Sequence, residues 1–403
     1  MAGITFFHIE AARPKILQFH ILQWAQVVVR SKLARLLEAS VPPNTMSYLG
    51  LKNILIKNKF MNTNYPNKKT DIICTIGPSS WDESVMEQMI AEGMNVARVN
   101  AAFADTAELE KVERLVRKFS SEVKLMLDVK GPEVRMNKFP APVELTEGAE
   151  LEIGSGEDFP IFPANYPNLY QKITVGQAIL VGDGDVKLEV TELREKSFMV
   201  KVIYGTKLKP GKALNFPGVR LTDLPLTPRD EELIDFIFNR DWDYVSASFI
   251  GTKKDAEFIK TRLSGSGLKL IAKIEDAAGI TNIDEILEVV DGVMIARGGL
   301  GVDIGLKYIG LLQRYLLEKC NTAGKYVIAA TQMLESMFSS PVPTRAESND
   351  VLTAIIMGAN AVMLSGESSA GEYPVESVKF MSEVDAMWQE LSVDGKPDWQ
   401  KLI

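Results

Sequence analysis

Polar side chains follow several apolar segments of this chain, and their types suit chemistry on a negatively charged substrate. These positions are Arg98 and Asn100, Asp128 and Lys130, Lys273 and Glu275, Arg297 with Gly298, Thr331 and Gln332, and Ser365 with Glu367. Lys273 and Glu275 are two positions apart, so on a strand both side chains point to the same side. A cation beside a hard oxygen ligand suits an anionic substrate that is bridged by Mg²⁺ or Mn²⁺.

The glycine-rich stretch after residue 296 offers backbone groups instead of side chains. The N–H groups of Gly298, Gly299 and Leu300 open onto a predicted helix and form a candidate anion-binding nest. Arg98 adds a guanidinium that can hold an anion by two hydrogen bonds. Together with one metal ion, these positive groups indicate electrostatic stabilisation of a phosphoryl or enolate group.

Histidine and cysteine usage restricts the chemistry further. The two histidines are His8 and His20, so residues 21–403 contain none. This excludes Ser-His-Asp and Cys-His catalysis, and the common zinc sites, from the main body of the chain. The two cysteines, Cys74 and Cys320, show no metal-ligand spacing. We expect them to be small core residues in a reducing compartment.

The composition is that of a globular protein with an acidic balance. Hydrophobic residues make up 46% and charged residues 24%, and the formal net charge is −8. An acidic chain of this kind is not expected to bind nucleic acid or an anionic membrane surface as its main partner.

The first sixty residues differ from the rest in charge. They hold eight Lys or Arg residues and two acids, and their apolar run at 16–29 is interrupted by polar side chains. That run is too short to span a bilayer, and a basic, acid-poor start is compatible with an organelle transit peptide. The alternatives are a disordered tail or a start codon assigned too far upstream, with Met46 or Met61 as the true start. We expect a cytoplasmic protein, with organellar import as the alternative.

Strands and helices are predicted to alternate from about residue 70. Short apolar segments predict strands at residues 72–77, 95–100, 124–129, 244–250, 269–275, 292–297, 327–332 and 361–366. Amphipathic segments predict helices at residues 83–92, 107–119, 228–239, 253–263 and 308–322. This alternation indicates a parallel sheet, and eight units favour an α/β fold of the (β/α)8 TIM-barrel class. Two packed doubly wound halves are the competing architecture.

One connection, between the third and fourth predicted strands, is much longer than the others. Residues 136–214 contain two prolines, alternating segments at 143–145 and 186–190, and the turn 182–184. They predict a small all-β domain inserted in a barrel loop and placed to act as a lid. The expected organisation is a basic N-terminal extension (1–66), a barrel (67–135 and 215–392), the lid (136–214) and a tail (393–403).

Several motifs in these segments resemble those of one enzyme family. They are Cys74-Thr-Ile-Gly-Pro-Ser79, Gly93-Met-Asn-Val-Ala-Arg98, Lys130-Gly-Pro-Glu-Val-Arg135, Lys273-Ile-Glu275, Ala330-Thr-Gln-Met-Leu-Glu-Ser-Met337, Pro343-Thr-Arg-Ala-Glu347 and Leu364-Ser-Gly-Glu367. They run in order from about residue 69 to residue 391 and resemble pyruvate kinase. The resemblance implies a barrel with a β lid, phosphoryl transfer from phosphoenolpyruvate to ADP giving pyruvate and ATP, Mg²⁺ or Mn²⁺, and K⁺.

The resemblance also implies roles for single residues. Lys273 would stabilise charge on the transferring phosphoryl group, and Glu275 would bind the divalent metal. Thr331 would lie near the face where the enolate is protonated, and Arg98 would contact the phosphate.

Further positions match binding contacts of the family. Backbone groups of Gly298 and Gly299 would face the substrate carboxylate. The positions that match potassium ligands are Asn100, Asp128 and the carbonyl of Val129, and Glu133 resembles the glutamate typical of potassium-using members. The positions that match nucleotide contacts are Asn100, Arg135 and Lys212.

Three departures from the family pattern matter for the chemistry. The family sequence Arg-x-Asn-Phe-Ser-His-Gly appears here as Arg98-Val-Asn-Ala-Ala-Phe-Ala104. Ala102 therefore lacks a hydroxyl ligand for potassium, and Phe103 replaces a histidine that faces the nucleotide phosphates. Gly299 stands where the family has an aspartate that is the second metal carboxylate. The family's C-terminal domain, which holds the usual allosteric site, is not expected because the sequence stops at Ile403.

These departures leave three functions open. A weakened pyruvate kinase is one, since Mg²⁺ is often held by one or two carboxylates together with substrate oxygens and water. A non-catalytic relative that binds phosphoenolpyruvate or a nucleotide is the second. The third is a metal-dependent lyase or aldolase acting on an oxo-acid, although a lyase has no nucleotide for the lid and Lys212 to cover.

Two further expectations concern assembly and local structure. We expect a homo-oligomer formed through barrel surfaces, and we expect Thr344 and Glu347 to cap a helix.

Overall fold

The computed structural model describes residues 69–137, 139–156, 158–219, 225–393, 396 and 397. The predictions for the basic N-terminal extension and for most of the tail fall outside the described residues. Within these ranges, no helix is both long and apolar enough to cross a membrane.

The strands are numbered in chain order. They are β1 (Asp71–Thr75), β2 (Met94–Asn100), β3 (Lys124–Val129), β4 (Val143–Glu144), β5 (Glu150–Ser155), β6 (Pro163–Ala164), β7 (Ala178–Val181), β8 (Val186–Arg194), β9 (Ser197–Tyr204), β10 (Lys207–Leu208), β11 (Leu214–Asn215), β12 (Tyr244–Ala247), β13 (Lys269–Ile274), β14 (Gly292–Ala296), β15 (Tyr326–Ala330), β16 (Ala361–Leu364), β17 (Ser392–Val393) and β18 (Lys396–Pro397).

Helices connect the barrel strands along the chain. The α-helices are Glu83–Ala91, Thr106–Phe119, Pro228–Ile237, Lys253–Arg262, Ala277–Thr281, Ile283–Leu287, Arg297–Leu300, Ile309–Thr322, Arg345–Ile356, Gly366–Ser369 and Pro374–Leu391. Shorter turns of 3₁₀ or π type are Pro78–Ser80, Leu169–Gln171, Gly301–Gly305, Leu306–Tyr308 and Glu335–Phe338.

Eight parallel strands close into a barrel. Their order is β1-β16-β15-β14-β13-β12-β3-β2, and β1 pairs with both β2 and β16. This ring confirms the predicted (β/α)8 architecture, and it excludes two doubly wound halves because an open sheet would leave edge strands unpaired.

Apolar side chains from all eight strands fill the barrel. This core consists of Ile73, Val96, Met126, Tyr244, Ile271, Met294, Ile328, Ala330, Ala361 and Met363. Side chains alternate along a strand, so the residues two positions farther towards the carboxyl end also point inward. Those positions include Arg98, Asp128 and Lys273. These polar side chains therefore form the next inward-facing layer, on the carboxyl-end side of the apolar barrel core.

Several barrel strands end earlier than the apolar pattern predicts. β12 ends at Ala247, and β13 ends at Ile274, one residue before Glu275. Phe249 has left-handed backbone with φ +58°, and Arg297 begins a one-turn helix. The chain therefore leaves the sheet at these points, and part of the polar set lies on the rim of the barrel.

The long connection after β3 forms an all-β unit with its own core. Its larger sheet has the order β11-β7-β8-β9-β5-β6, and β4 pairs with β10. Buried side chains such as Ile153, Leu188, Phe198 and Val200 make up its core. The unit returns to the barrel before the helix Pro228–Ile237.

The capping role predicted for Thr344 and Glu347 is confirmed. Thr344 precedes the helix Arg345–Ile356, and its hydroxyl accepts from the Glu347 N–H while the Glu347 carboxylate accepts from the Thr344 N–H. Glu347 also accepts from the N–H of Ser336 at 2.7 Å, which ties this helix to the turn after β15.

Candidate active site

Three charged side chains meet inside the carboxyl end of the barrel. Arg98 donates from Nε to Oδ2 of Asp128 at 2.7 Å, and Nζ of Lys273 lies 3.0 Å from Oδ1 of the same carboxylate. β3 supplies Asp128, β2 supplies Arg98 and β13 supplies Lys273. The sequence predicted all three as site residues, and the fold brings them into one cluster.

Charge pairing decides the protonation of this cluster. Burial by itself would raise the pKa of the Asp128 carboxyl, but the Arg98 and Lys273 cations lower that pKa below its usual value. Burial would likewise lower the pKa of the Lys273 ammonium, but Asp128 and Glu275 raise it above its usual value. Lys273 is therefore a cation near neutral pH, and the two cations outnumber the carboxylate between them.

Glu275 lies beside Lys273 on the rim. Its Oε1 is 3.4 Å from Nζ of Lys273, as expected for residues two apart, and its Oε2 accepts from the N–H of Phe249 at 3.1 Å. Burial raises the pKa of the Glu275 carboxyl, and the nearby Lys273 offsets part of that effect. A buried carboxylate of this kind is stabilised by a bound cation.

The glycine-rich turn after β14 contacts the end of β15. The N–H of Gly298 donates to Oγ1 of Thr331 at 2.8 Å. This differs from the predicted open nest, because one of its N–H groups already has a side-chain acceptor. Gly298 and Thr331 are brought together as predicted, and they border the same mouth as Lys273.

Gly299 packs closely against Glu275. A Cβ atom on Gly299 would lie 3.0 Å from Cβ of Glu275 and 3.2 Å from its carbonyl oxygen. Gly299 does not have positive φ, so residues other than glycine can adopt its backbone conformation. A side chain at this position is restricted instead by its close contact with Glu275. A side chain at position 299 would point directly at the carboxylate-bearing residue.

Glu275 does not belong to a ready-made metal-ligand cluster among the described residues. In the ranges that the structure describes, no group of three His, Cys, Asp or Glu side chains is arranged to hold a metal ion. Asp303 accepts from the N–H groups of Ala277 at 2.8 Å and Gly218 at 3.2 Å. Both of its oxygens therefore hold backbone donors, and it connects the barrel to the chain returning from the all-β unit.

The positions that match potassium ligands are already hydrogen-bonded. Oδ1 of Asn100 accepts from the N–H of Ala102 at 3.1 Å. The carbonyl of Val129 accepts from the Ser248 hydroxyl at 3.0 Å. Asp128, as described, is neutralised by two cations, so this set offers little negative charge to a further cation.

Of the three residues that match nucleotide contacts, Asn100 ends barrel strand β2, and Arg135 and Lys212 lie at the base of the all-β unit. Arg135 donates from Nε to Glu133 at 2.7 Å and from NH1 to the carbonyl of Gly211 at 2.7 Å. Lys212 is half-buried and lies beside Gly182. Phe103, on the loop after β2, is 83% exposed.

Sequence reasoning missed several residues that organise this site. The Ser248 hydroxyl accepts from Nζ of Lys273 at 2.7 Å, and Oγ1 of Thr75 accepts from NH1 of Arg98 at 2.6 Å. Both belong to the inward-facing rows that alternation defines, so the period-two pattern could have identified them. Arg297 stands out in the sequence only as part of a polar strand end, and its contacts to residues 330–332 carry no signal in the sequence.

Comparisons with known proteins relate this chain to one family. Residues 67–378 match the family model described as pyruvate kinase, barrel domain. The pyruvate kinase of Sporosarcina psychrophila is 41% identical over 340 residues, which cover 81% of this chain and 58% of that protein. The pyruvate kinase of Geobacillus stearothermophilus is 40% identical over 330 residues, with coverages of 79% and 56%. The chain thus spans less than two thirds of the length of these relatives.

A solved structure shows the same similarity. A pyruvate kinase from Cryptosporidium parvum has a TM-score of 0.76 and 33% sequence identity to this chain. The match covers 85% of this chain and 73% of that one.

Proposed function

Because this chain belongs to the pyruvate kinase family, we propose that it transfers the phosphoryl group of phosphoenolpyruvate to ADP, which gives pyruvate and ATP. The relatives with about 40% identity are named for this activity. Family membership favours phosphoryl transfer over the oxo-acid lyase considered from the residues alone.

The observation that carries the proposal is the cation cluster at the barrel mouth. Lys273 is buried, its pKa is raised above the usual value by Asp128 and Glu275 against the effect of burial, and Nζ lies among Asp128, Glu275 and Ser248. A fixed cation in a place that excludes water stabilises developing negative charge without reorganisation. Lys273 would do this for the transferring phosphoryl group, and Arg98 would contact the substrate phosphate.

The Gly298 and Thr331 pair supports the second step of the proposed reaction, in which the enolate is protonated. The Gly298 N–H donates to Oγ1 of Thr331, so the hydroxyl proton is available to a different acceptor. Thr331 would lie near the face of the enolate that receives a proton, and the backbone of Gly298 and Gly299 would face the substrate carboxylate. Holding the enolate in place is a positioning effect that lowers the barrier.

Glu275 would supply the protein's ligand to Mg²⁺ or Mn²⁺. Its carboxylate is buried and carries one N–H donor besides Lys273, and Mg²⁺ is commonly held by one or two carboxylates with substrate phosphate and water. The donor set therefore fits this ion with one carboxylate. When bound, such an ion supplies Lewis-acid polarisation of a phosphoryl oxygen.

The proposed potassium ligands fit a cation less well. Asn100 and Val129 already accept hydrogen bonds, and Asp128 is neutralised by Arg98 and Lys273. We derive no step that depends on potassium and expect its effect to be weak. Arg135 and Lys212 would contact the nucleotide from the all-β unit, which would act as the lid.

Binding without catalysis is a second candidate function, and one observation favours it. Position 299 offers no carboxylate, and among the described residues no group of three His, Cys, Asp or Glu side chains is arranged to hold a metal ion. A site with intact Lys273, Arg98 and Thr331 would then still bind phosphoenolpyruvate.

The cytoplasmic location and the homo-oligomer expected from the sequence also stay proposals. Light scattering of the purified chain tests whether it forms a homo-oligomer.

A coupled assay tests the proposed function. Pyruvate formed from phosphoenolpyruvate and ADP is followed with lactate dehydrogenase, across a series of Mg²⁺ and Mn²⁺ concentrations, with the Lys273→Met protein as the matched blank. Pyruvate formation above that blank supports catalysis. If none appears at any metal concentration while calorimetry detects phosphoenolpyruvate binding, the binding function is the correct one.

A further inference from the structure

The loop after β15 has an uncommon backbone conformation. Thr331 has φ +70° and Gln332 has φ +51°, so two consecutive residues other than glycine are left-handed. This region is sparsely populated by such residues, and especially by β-branched ones. A conformation of this kind persists only where surrounding contacts impose it.

One guanidinium group binds the whole loop. Arg297 donates from Nε to the carbonyls of Ala330 at 3.1 Å and Thr331 at 3.2 Å. Its NH2 donates to the carbonyls of Thr331 at 2.6 Å and Gln332 at 3.1 Å. Three consecutive carbonyl groups thus converge on one side chain, which requires the chain to curl at these residues.

Arg297 is itself held rigidly. Its NH1 donates to Oδ2 of Asp350 at 2.6 Å and to Oε1 of Gln313 at 3.1 Å. Its side chain is 8% exposed. The planar fork of a guanidinium suits several fixed acceptors at once, whereas a lysine ammonium acts as a single point charge.

The curled loop sets the position of one hydroxyl. Oγ1 of Thr331 accepts from the N–H of Gly298, which directly follows Arg297 in the chain. Arg297 therefore anchors the Thr331 backbone, while the next residue anchors the Thr331 side chain. A shift of the loop would move the hydroxyl away from the mouth of the barrel.

We propose that Arg297 is a positioning residue, which holds Thr331 and Gln332 in the left-handed conformation that presents the Thr331 hydroxyl to the substrate. Arg297 contacts no substrate itself, since its donors are directed at the loop, Asp350 and Gln313. The effect of Arg297 on catalysis rests on the proposed function. Its effect on the conformation of the loop does not.

The test uses two variants. Arg297→Lys keeps the charge but lacks the planar guanidinium with its several donors, and Arg297→Ala leaves space for an added guanidinium ion. Arg117→Lys is the matched control, because Arg117 also donates to backbone carbonyls, those of Val123 and Asp241, but lies away from the barrel mouth. The measurements are kcat, KM for phosphoenolpyruvate, deuterium exchange at the methyl group of pyruvate, and crystal structures of the wild-type and Arg297→Lys proteins.

We expect kcat and methyl exchange to fall by roughly 10²-fold in Arg297→Lys, the effect of about 1 Å of misplacement, with KM little changed. Ethylguanidinium, but not ethylamine, should restore part of the activity of Arg297→Ala, and Arg117→Lys should retain wild-type kcat. In the crystal, φ of Thr331 should become negative in Arg297→Lys.

Two results would overturn the proposal: an unchanged Thr331 loop in Arg297→Lys, or an equal loss of kcat in Arg117→Lys. If the wild-type protein forms no pyruvate, the proposed function fails. The crystal structures then still decide whether Arg297 controls the loop.

Discussion

Nζ of Lys273 lies 3.0 Å from Oδ1 of Asp128, and the other oxygen of that carboxylate is bound by Arg98 at 2.7 Å. One buried carboxylate on β3 thus holds a cation from the adjacent β2 and another from β13, which lies on the far side of β12. The pairing keeps both cations charged and fixed, and Glu275, 3.4 Å from Lys273, balances the second cation. A metal ion on Glu275 would offset that carboxylate and leave the two cations to attract an anionic substrate.

Replacing Lys273 by Met should remove phosphoryl transfer while keeping the fold. Methionine fills similar volume, and Asp128 keeps Arg98 as its counterion. Loss of one preorganised donor to a developing oxyanion lowers rates by about 10²–10³-fold, so kcat should fall at least that far. Steady-state kinetics and thermal unfolding measure the two effects.

The control for this variant is Lys124→Met. Lys124 begins β3 at the opposite end of the barrel, where its Nζ lies 3.2 Å from the Tyr244 hydroxyl. The Lys124→Met protein should retain wild-type kcat. Unchanged turnover in Lys273→Met would rule out the role assigned to Lys273.

Replacing Asp128 by Asn should destabilise the protein in a pH-dependent way. Breaking a buried ion pair from one side costs about 3–5 kcal/mol. Arg98 and Lys273 lower the pKa of Asp128 in the folded state, against the effect of burial, so its stabilising contribution is complete above the usual aspartate pKa. It is lost as the pH falls through the lowered pKa.

Urea unfolding at several pH values measures this contribution. The difference between wild type and Asp128→Asn should stay constant from neutral pH down to about the usual aspartate pKa and shrink below it. A difference that grows as the pH falls through that range would contradict the pairing.

Much of this site could be predicted because the barrel imposes simple rules. Parallel strands bring their carboxyl ends to one face, so the strand assignment alone places Lys273, Thr331 and Arg98 at the same end of the barrel. The alternation of side chains also predicted that Lys273 and Glu275 share one side, and their atoms lie 3.4 Å apart.

The supporting contacts could not be predicted in this way. Arg297 binds carbonyls of residues 330–332 and the side chain of Asp350, which lies 53 positions away. No period or motif links such positions. The left-handed backbone of Thr331 even opposes the preference of a β-branched residue, so only tertiary contacts explain it.

Potassium should activate the protein weakly and saturate only at high concentration. Ala102 provides no hydroxyl, and the Asn100 and Val129 oxygens already accept hydrogen bonds. Ala102→Ser should lower the potassium concentration needed for half-maximal activity. Titrations with KCl at constant ionic strength, with the large tetramethylammonium ion as replacement, measure this. Tight potassium activation of the unmodified chain would show that the cation site is intact.

Restoring a carboxylate at position 299 should strengthen metal binding. A Cβ atom on Gly299 would point at Glu275 from 3.0 Å, so Gly299→Asp would place a second carboxylate beside the first. A tenfold gain in affinity corresponds to about 1.4 kcal/mol, which is modest for a charged ligand. The activating Mg²⁺ concentration should therefore fall at least about tenfold, and turnover at limiting Mg²⁺ should rise.

Gly299→Ala separates the ligand effect from the steric one. Gly299 does not have positive φ, so alanine adds no left-handed strain. Its Cβ still meets the Cβ and carbonyl oxygen of Glu275 at 3.0 and 3.2 Å, so both variants must displace Glu275 by a few tenths of an ångström. Mn²⁺ binding, followed by electron paramagnetic resonance without any turnover, should be tighter in Gly299→Asp than in Gly299→Ala. If the two variants bind Mn²⁺ equally, Glu275 does not mark the metal position, and the role proposed for it in phosphoryl transfer is wrong.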